Sequence, residues 1–368
     1  MLDVLNNYLQ EGLVYKQSHP DLPLFIWNYS EKVQYERLWD DILIKCRGLI
    51  TDATGKVIVQ PFPKFFNYEE LVEKNTIPWD SEYFYVQEKI DGSLGILFYF
   101  QDRWVMATRG SFASEQAIKG LKLVQNKYDL SKFIKELVYL VEIIYPENRI
   151  VVKYEEEKVV FLSCVYNRSL VPNVEDQMDE LNWQTSLAIF SSNGISEDDI
   201  VQTKHYDKFS PEFYQDLKSK EEDNKEGFVI RFFPSNFRLK IKFEEYVRLH
   251  KIMTNISTKT IWEALKNGDG LDALLKDVPD EFFEKIKNYE NHLIRSHRRI
   301  SYFCKGKYNI FRYGETTGKF PEPTKKEFAE FVRNNITQEL HSIMFLIWDG
   351  KDATEAIWKI LKPTYEKL

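Results

Sequence analysis

VQEKIDGSLG, residues 86–95, is the stretch on which the reading of this chain turns. Apolar and aromatic residues flank an Asp-Gly pair, a combination that favours a tight turn between two antiparallel strands. On that reading the segment is a β-hairpin, and Lys89 is one exposed lysine among many. The same Lys-x-Asp-Gly spacing also suits a lysine held against a nucleoside triphosphate, the glycine leaving room for the ligand. One motif does not separate decoration from nucleophile, so the remainder of the chain has to decide.

The chain has 368 residues, enough for two or three domains, and 43% of them are hydrophobic, enough for a sizeable core. With 26 Phe, 21 Tyr and 8 Trp, most rings must be core and only a few can stack on bases. The net charge of −7 excludes a global basic field, so any nucleic-acid site has to be a local patch. Cys46, Cys164 and Cys304 lie far apart, without CxxC or zinc-type spacing, which points to a reduced compartment. MLDVLNNYLQEG at the N-terminus lacks a basic region followed by an apolar one, and no apolar run reaches membrane-spanning length. A cytoplasmic protein without membrane association is expected.

Two regimes follow each other. From about residue 24 to 243, short β-rich runs recur: LFIWNY, CRGLITD, KVIVQPF, YFYVQEKI, SLGILFYF, RWVMATRG, KVVFLSCVY, GFVIRFF and FRLKIKF. Helical patterns interrupt them at 114–126 and 131–139. This predicts an α+β domain of largely antiparallel sheets with flanking helices over 1–250. From 251 to 368 the spacing turns helical. Phe328, Phe331, Ile336, Leu340, Ile343, Met344 and Ile347 keep one helical register, and Thr324 with Glu327 forms a capping box just after Pro321 and Pro323. Gly350 follows the expected end of that helix.

Five further constellations could carry chemistry. Glu142 stands inside the apolar, strand-like run ELVYLVEIIY, where burial without partners is costly. It either reaches solvent, pairs with a cation such as Arg149, or accepts hydrogen bonds from a ligand's hydroxyls. Glu226, at the head of the strand GFVIRFF, is either a loop glutamate after an acidic run or a catalytic group at a strand end, where Gly227 permits close approach of backbone to ligand. In RLKIKF, alternation puts Leu239, Ile241 and Phe243 on one face and Arg238, Lys240 and Lys242 on the other. That second face is either solvated or a wall of cations for polyphosphate. Arg47 before Gly48, with Lys64 and Phe66 in PFPKFFN, is the fourth constellation, and Arg109 in TRGS is the fifth.

In order, CRG, PFPKFFN, EKIDGSL, TRGS, VEIIYPENRIVVKY, EGFVIRF and RLKIKF closely resemble the covalent nucleotidyltransferases, and within them the bacteriophage T4 RNA ligase 1 family. The likeness runs in register over roughly 24–250. It implies that Lys89 is the lysine that becomes adenylated, with Asp91 and Gly92 in its loop. It likewise implies that Glu142 contacts the ribose, Glu226 belongs to the metal site, and Lys240 and Lys242 hold the triphosphate. Arg47, Lys64, Phe66 and Arg109 take further nucleotide-pocket positions. Arg109 replaces a lysine of the family, and Trp27 replaces a tyrosine, which leaves that hydroxyl's role without a counterpart. The helical tail matches the family's C-terminal domain only in kind.

The implied activity is ATP-dependent joining of RNA 5′-phosphate and 3′-hydroxyl ends through lysyl-AMP and adenylated RNA, with broken tRNA as the family-level substrate. The attacking amine has to be neutral. For an ordinary lysine with a pKa of about 10.4, neutrality near pH 7 requires roughly 4.6 kcal/mol of differential interaction. A positive neighbour is therefore expected beside Lys89: Lys240, Lys242 or a divalent ion. Without a dense carboxylate cluster, Mg²⁺, with Mn²⁺ as a substitute, is expected to be held through water and phosphate, with Glu226 in its shell. Residues 292–313, HLIRSHRRISYFCKGKYNIFRY, carry six Lys or Arg and no acid. Arg295, Arg298, Arg299, Lys305 and Lys307 are the candidate RNA contacts, against the plainer reading of a solvated helix face followed by a loop. A monomer is expected, in the host cytoplasm if the chain is phage-encoded. The competing readings are a DNA ligase, a capping-type nucleotidyltransferase, whose motif series ends in a small β-barrel, and an inactive RNA-binding relative.

Overall fold

The computed structural model describes the chain outside residues 80–82, 149, 172–179, 221, 223, 254–256, 276–279, 315–322 and 364–368, and outside the side chains of 251–253, 273 and 280–282. The chain forms two compact units, Met1–Met253 and Thr254–Leu368, where the sequence reading put the division after residue 250.

The strands of the first unit are β1 (Val14–Ser18), β2 (Leu24–Tyr29), β3 (Arg47–Asp52), β4 (Val57–Val59), β5 (Phe66–Asn67), β6 (Tyr83–Glu88), β7 (Ser93–Phe100), β8 (Arg103–Thr108), β9 (Leu137–Ile144), β10 (Lys158–Tyr166), β11 (Thr203–Tyr206), β12 (Gly227–Phe233) and β13 (Arg238–Lys242). They build three sheets, in the orders β1-β2-β3-β4, β10-β9-β7-β8 and β11-β6-β12-β13-β5. Every pairing is antiparallel except β13 with β5. The helices are α1 (Leu2–Gln10), α2 (Glu31–Glu36), α3 (Tyr68–Glu73), α4 (Glu115–Lys127), α5 (Trp183–Ser192), α6 (Pro211–Ser219) and α7 (Glu244–Met253).

Period-two alternation explains the layers. Leu94, Ile96 and Phe98 of β7, with Val138 and Leu140 of β9, face Ile26 of β2 and Ile50 of β3 in one core between the first two sheets. The opposite residues of β9, Tyr139, Val141 and Ile143, pack on Ala117 and Val124 of α4 and on Trp183 and Phe190 of α5. The third sheet buries Phe84, Val86, Ile230, Leu239 and Ile241 against Tyr68 of α3 and Tyr214 of α6. Cys46, Cys164 and Cys304 are buried free thiols.

Three expectations fail in instructive ways. Residues 86–95 are not a hairpin: β6 belongs to the third sheet and β7 to the second. Neither Asp91 nor Gly92 takes the positive φ of a tight hairpin turn, so 89–92 is a crossover between sheets. Residues 131–139 hold a short 3₁₀ turn, Leu130–Lys132, and the start of β9, not a helix. The β-branched and aromatic run LVYLVEII is claimed by pairing on both sides, with β7 and β10. The register from Phe328 to Ile347 is shared by two helices rather than one, because Ile336 turns extended.

In the second unit the described residues form α8 (Thr258–Asn267), α9 (Asp272–Leu275), α10 (Asp280–Tyr313), α11 (Lys325–Asn335), α12 (His341–Trp348) and α13 (Thr354–Ile360), with no named strand. The capping box of Thr324 and Glu327 opens α11, while Pro321 lies outside the described residues. Cys304 of α10, Phe328 and Val332 of α11, Met344 of α12 and Ile357 of α13 share one core.

Candidate active site

Lys89 follows the last residue of β6, and its backbone N–H donates to the Gly227 carbonyl at 2.9 Å. The crossover thereby lies against the head of β12. Lys89 Nζ donates to Glu226 Oε2 at 2.7 Å, and Lys242 Nζ stands 3.2 Å from Oε1 of the same carboxylate. Gly227 pairs with Lys242, and the Phe243 N–H donates to the Glu226 carbonyl at 2.9 Å, so Glu226 lies beside the Lys242 end of β13. The side chain of Glu226 is 3% exposed and that of Lys89 21%, so the amine alone of this pair has an open side.

Burial pushes the Glu226 carboxyl up, but Lys89, Lys242 and Lys240 together hold it below the usual carboxylate range. The expectation that a cation would adjoin Lys89 is therefore met differently. Its nearest charged neighbour is an anion, and Lys242 acts across that anion. The reason is burial: two lysines in a dry strand pair need a carboxylate between them.

Glu142 projects from the middle of β9, opposite Leu94 of β7 and Val160 of β10. Burial is the main cause of a pKa raised to about 7. Lys89 and Arg47 draw it down, while Glu226 and Asp91 push it up. Arg47 opens β3, its guanidinium 5.6 Å from the Phe65 ring. Arg47, Phe65, Gln87, Lys89, Leu94 and Glu142 line one cleft. Arg149, the alternative partner for Glu142, lies outside the described residues.

The two glycines are required for a different reason from the one expected. A Cβ on Gly92 would stand 2.6 Å from the Ile143 carbonyl and 3.0 Å from Glu142 Cγ. A Cβ on Gly227, at φ +140°, would stand 2.1 Å from the Ile241 carbonyl. Both admit protein backbone rather than ligand. Asp91 is 3% exposed and serves the loop: Oδ2 accepts from the N–H groups of Val151 and Val152 at 2.8 Å each, and Oδ1 from the Tyr246 hydroxyl at 2.9 Å. The Asp91 N–H donates to the Tyr154 hydroxyl at 3.0 Å. Tyr154 and Tyr246 were missed in the sequence because nothing local distinguishes them from core aromatics. Val151, Val152 and Tyr154 do fall in the distinctive PENRIVVKY stretch.

A second group of cations surrounds an aromatic cluster on β2 and β5. Lys64 Nζ lies 5.9, 5.4 and 5.3 Å from the rings of Tyr29, Trp39 and Phe66. The Arg109 guanidinium lies 5.9 Å from the same Tyr29 ring. Phe66 pairs with Leu239 and Asn67 with Lys240, which ties this cluster to the basic strand. Trp39 was not singled out by its sequence context. Trp27 is core, its indole N–H donating to Thr51 Oγ1 at 2.9 Å. Arg238 is buried and ion-paired with Glu180, which also meets Arg231 at 3.0 Å, and it lines the same cleft as Lys89 and Glu142. The basic strand is buried rather than solvated, since Arg238, Lys240 and Lys242 are at most 10% exposed.

Among the described residues no three His, Cys, Asp or Glu side chains converge as a metal cage. A single buried carboxylate between lysines suits an ion that keeps most of its water and takes phosphate oxygens. The five basic-patch residues lie away from this cluster in sequence, all on α10: Arg295, Arg298, Arg299 and Lys305 are exposed and Lys307 is partly so. The whole of 292–313 is helical, so the loop of the plainer reading is absent.

A family model described as RNA ligase matches residues 45–247, a span that runs from the Arg47 strand through Lys242. The chain belongs to this RNA ligase family. It is 26% identical over 255 residues to a Thermovibrio ammonificans protein named "Putative RNA ligase", covering 66% of this chain and 60% of that one. It is 23% identical over 326 residues to the RNA ligase of Rhodothermus phage RM378, covering 72% of each. This chain thus spans less than two thirds of the Thermovibrio relative. In fold it is similar to an archaeal ATP-dependent RNA ligase, with a TM-score of 0.50 at 14% identity over 95% of this chain and 96% of that one. No helix among the described residues is long and apolar enough to cross a membrane.

Proposed function

We propose that this chain is an ATP-dependent RNA ligase. The observation that carries the reading is the Lys89–Glu226–Lys242 constellation, whose Lys89 lines one cleft with Glu142 and Arg47. First, Lys89 Nζ attacks the α-phosphorus of ATP. A nitrogen–phosphorus bond forms, the bond to the bridging oxygen breaks, and pyrophosphate leaves. Next, a 5′-phosphate oxygen of RNA takes the adenylyl group and returns the lysine. Last, an RNA 3′-oxygen attacks the activated 5′-phosphorus, sheds its proton and displaces AMP. Covalent catalysis divides one difficult joining into easier transfers.

The side chains have distinct tasks. Lys89 first has to release its hydrogen bond to Glu226, and Lys242 keeps that carboxylate in place when it does. Lys240 and Lys242 oppose charge that builds on the pyrophosphate. Glu142, ionised above about pH 7, accepts from the ribose. Asp91 positions the loop. Arg47, Lys64, Phe66 and Arg109 complete the nucleotide and phosphate surroundings. Mg²⁺, or Mn²⁺ in its place, would sit in the Glu226 shell and supply positive charge against the leaving group.

Arg295, Arg298, Arg299, Lys305 and Lys307 are proposed as RNA phosphate contacts, and broken tRNA as the natural substrate by family analogy. A monomeric, cytoplasmic protein accords with the chain's composition. The RNA ligase family match favours an RNA ligase over the DNA-ligase and capping alternatives, and the intact constellation disfavours an inactive relative. The test is joining of a 5′-labelled, single-stranded RNA with a free 3′-hydroxyl in ATP and Mg²⁺. Circles and concatemers are expected from the wild type and none from Lys89→Ala. Joining confined to nicked DNA, or driven by GTP alone, would overturn the reading.

A further inference from the structure

The C-terminal half of α10 presents more than a basic patch. A helix turns about 100° per residue. Taking Tyr302 as the centre, Arg295, Arg298, Arg299, Lys305, Asn309 and Tyr313 all fall within about 60° on either side. The opposite side carries Leu293, Ile300, Cys304 and Phe311. Leu293 is 3% exposed, Cys304 is fully buried, and Ile300 and Phe311 pack on the core that Cys304 shares. The two faces are thus cleanly divided. On the outer one, Tyr302 is 84% exposed and Tyr313 68%.

The stripe from Arg295 to Tyr313 is about 27 Å long at the usual helical rise. No acidic residue occurs between 292 and 313. None of Arg295, Arg298, Arg299 or Lys305 forms an ion pair with a described carboxylate, whereas Lys119 of α4 is paired with Glu157 and Arg248 of α7 with Glu245. Unneutralised cations sharing one helix face with two solvent-facing phenol rings match a polymer that carries both phosphates and unstacked bases. A duplex hides its base faces, so the rings have a role only on a single strand.

We propose that this face of α10 is a single-strand RNA track, in which Tyr302 and Tyr313 stack on bases while Arg295, Arg298 and Arg299 before Tyr302, and Lys305 between the two rings, hold phosphates. This rests on the RNA-ligase reading and adds to it the surface that holds the strand and two recognition residues that the basic patch does not include. Phe303 and Ile310 border the stripe on one side, and a protein partner seated there is the alternative occupant.

The test uses the full chain and a short, fluorescent, mixed-sequence RNA, either single-stranded or annealed to its complement. Tyr302→Ala and Tyr313→Ala should each weaken single-strand binding about tenfold. Their slopes of log affinity against log salt should stay at the wild-type value, and Tyr302→Trp should restore binding. The Arg295→Ala, Arg298→Ala, Arg299→Ala triple variant should instead flatten that slope by about 2. Wild-type binding by the double tyrosine variant would overturn the track and leave a protein partner as the occupant, and an equal loss on duplex would overturn its single-strand character. Joining by the wild type, scored in the same preparation, separates the two readings: joining with unaltered tyrosine variants removes the track alone, and no joining removes the ligase reading.

Discussion

Lys89 has solvent on one side and Glu226 on the other, and the account depends on that asymmetry. Glu226→Gln keeps the shape and removes the charge that balances Lys89, Lys242 and Lys240. Breaking such a buried set should cost about 3 kcal/mol of stability by urea unfolding and abolish adenylation. Because Glu226 is held below its usual range, its contribution is present above the ordinary carboxylate pKa and fades as pH falls through the depressed one. The deficit of Glu226→Gln should therefore be largest at neutral pH and shrink in acid; a constant deficit would point to lost packing instead. Glu142 has the opposite sign. Its pKa is raised to about 7, so the folded state keeps a proton that the unfolded chain releases, and stability falls as pH rises from the ordinary carboxylate value to about 7. Glu142→Gln should remove that part of the slope. In the sequence Glu142 stands out as a charge inside an apolar run, while Lys89, Glu226 and Lys242 are singled out by the ordered series of motifs that carries the family resemblance. It did not reveal Tyr154, Tyr246 or Trp39, because an aromatic residue that orients a loop or flanks a lysine looks like core.

At the scale of elements, local rules succeeded where an element stands on its own and failed where two sheets compete for it. α4 has its own stop and start, with Ser114 capping the Ala117 N–H and Lys127 in the last turn, and it was legible. The Asp-Gly pair at 91–92 satisfied a hairpin rule, yet Asp91 is held by Val151, Val152 and Tyr246, partners no window around it contains. Gly227 shows how closely the strands constrain the site. Gly227→Ala should destabilise the fold by at least about 2 kcal/mol, since both φ and the Ile241 carbonyl oppose a Cβ. Adenylation should fall with it, because the same pairing positions Glu226 against Lys242. Thermal unfolding at the wild-type temperature would remove that link between strand register and chemistry.

Over the whole molecule, charge is divided by task. The chain is acidic overall, at −7, while its cations gather in the buried strand pair of the first unit and on one face of α10 in the second. The four cations of the α10 stripe, from which Lys307 is turned about 140° away, should make RNA affinity fall roughly 50-fold on a fourfold rise in monovalent salt. Self-adenylation, which involves no polyanion longer than ATP, should change far less over the same range, and equal sensitivity of the two would argue against separate surfaces. The measurement closest to the central claim is the fate of α-labelled ATP incubated with Mg²⁺ and the protein, then denatured. The account predicts label bound to the wild type, mapped to the peptide bearing Lys89, and none on Lys89→Ala; label that persists on the variant would contradict it.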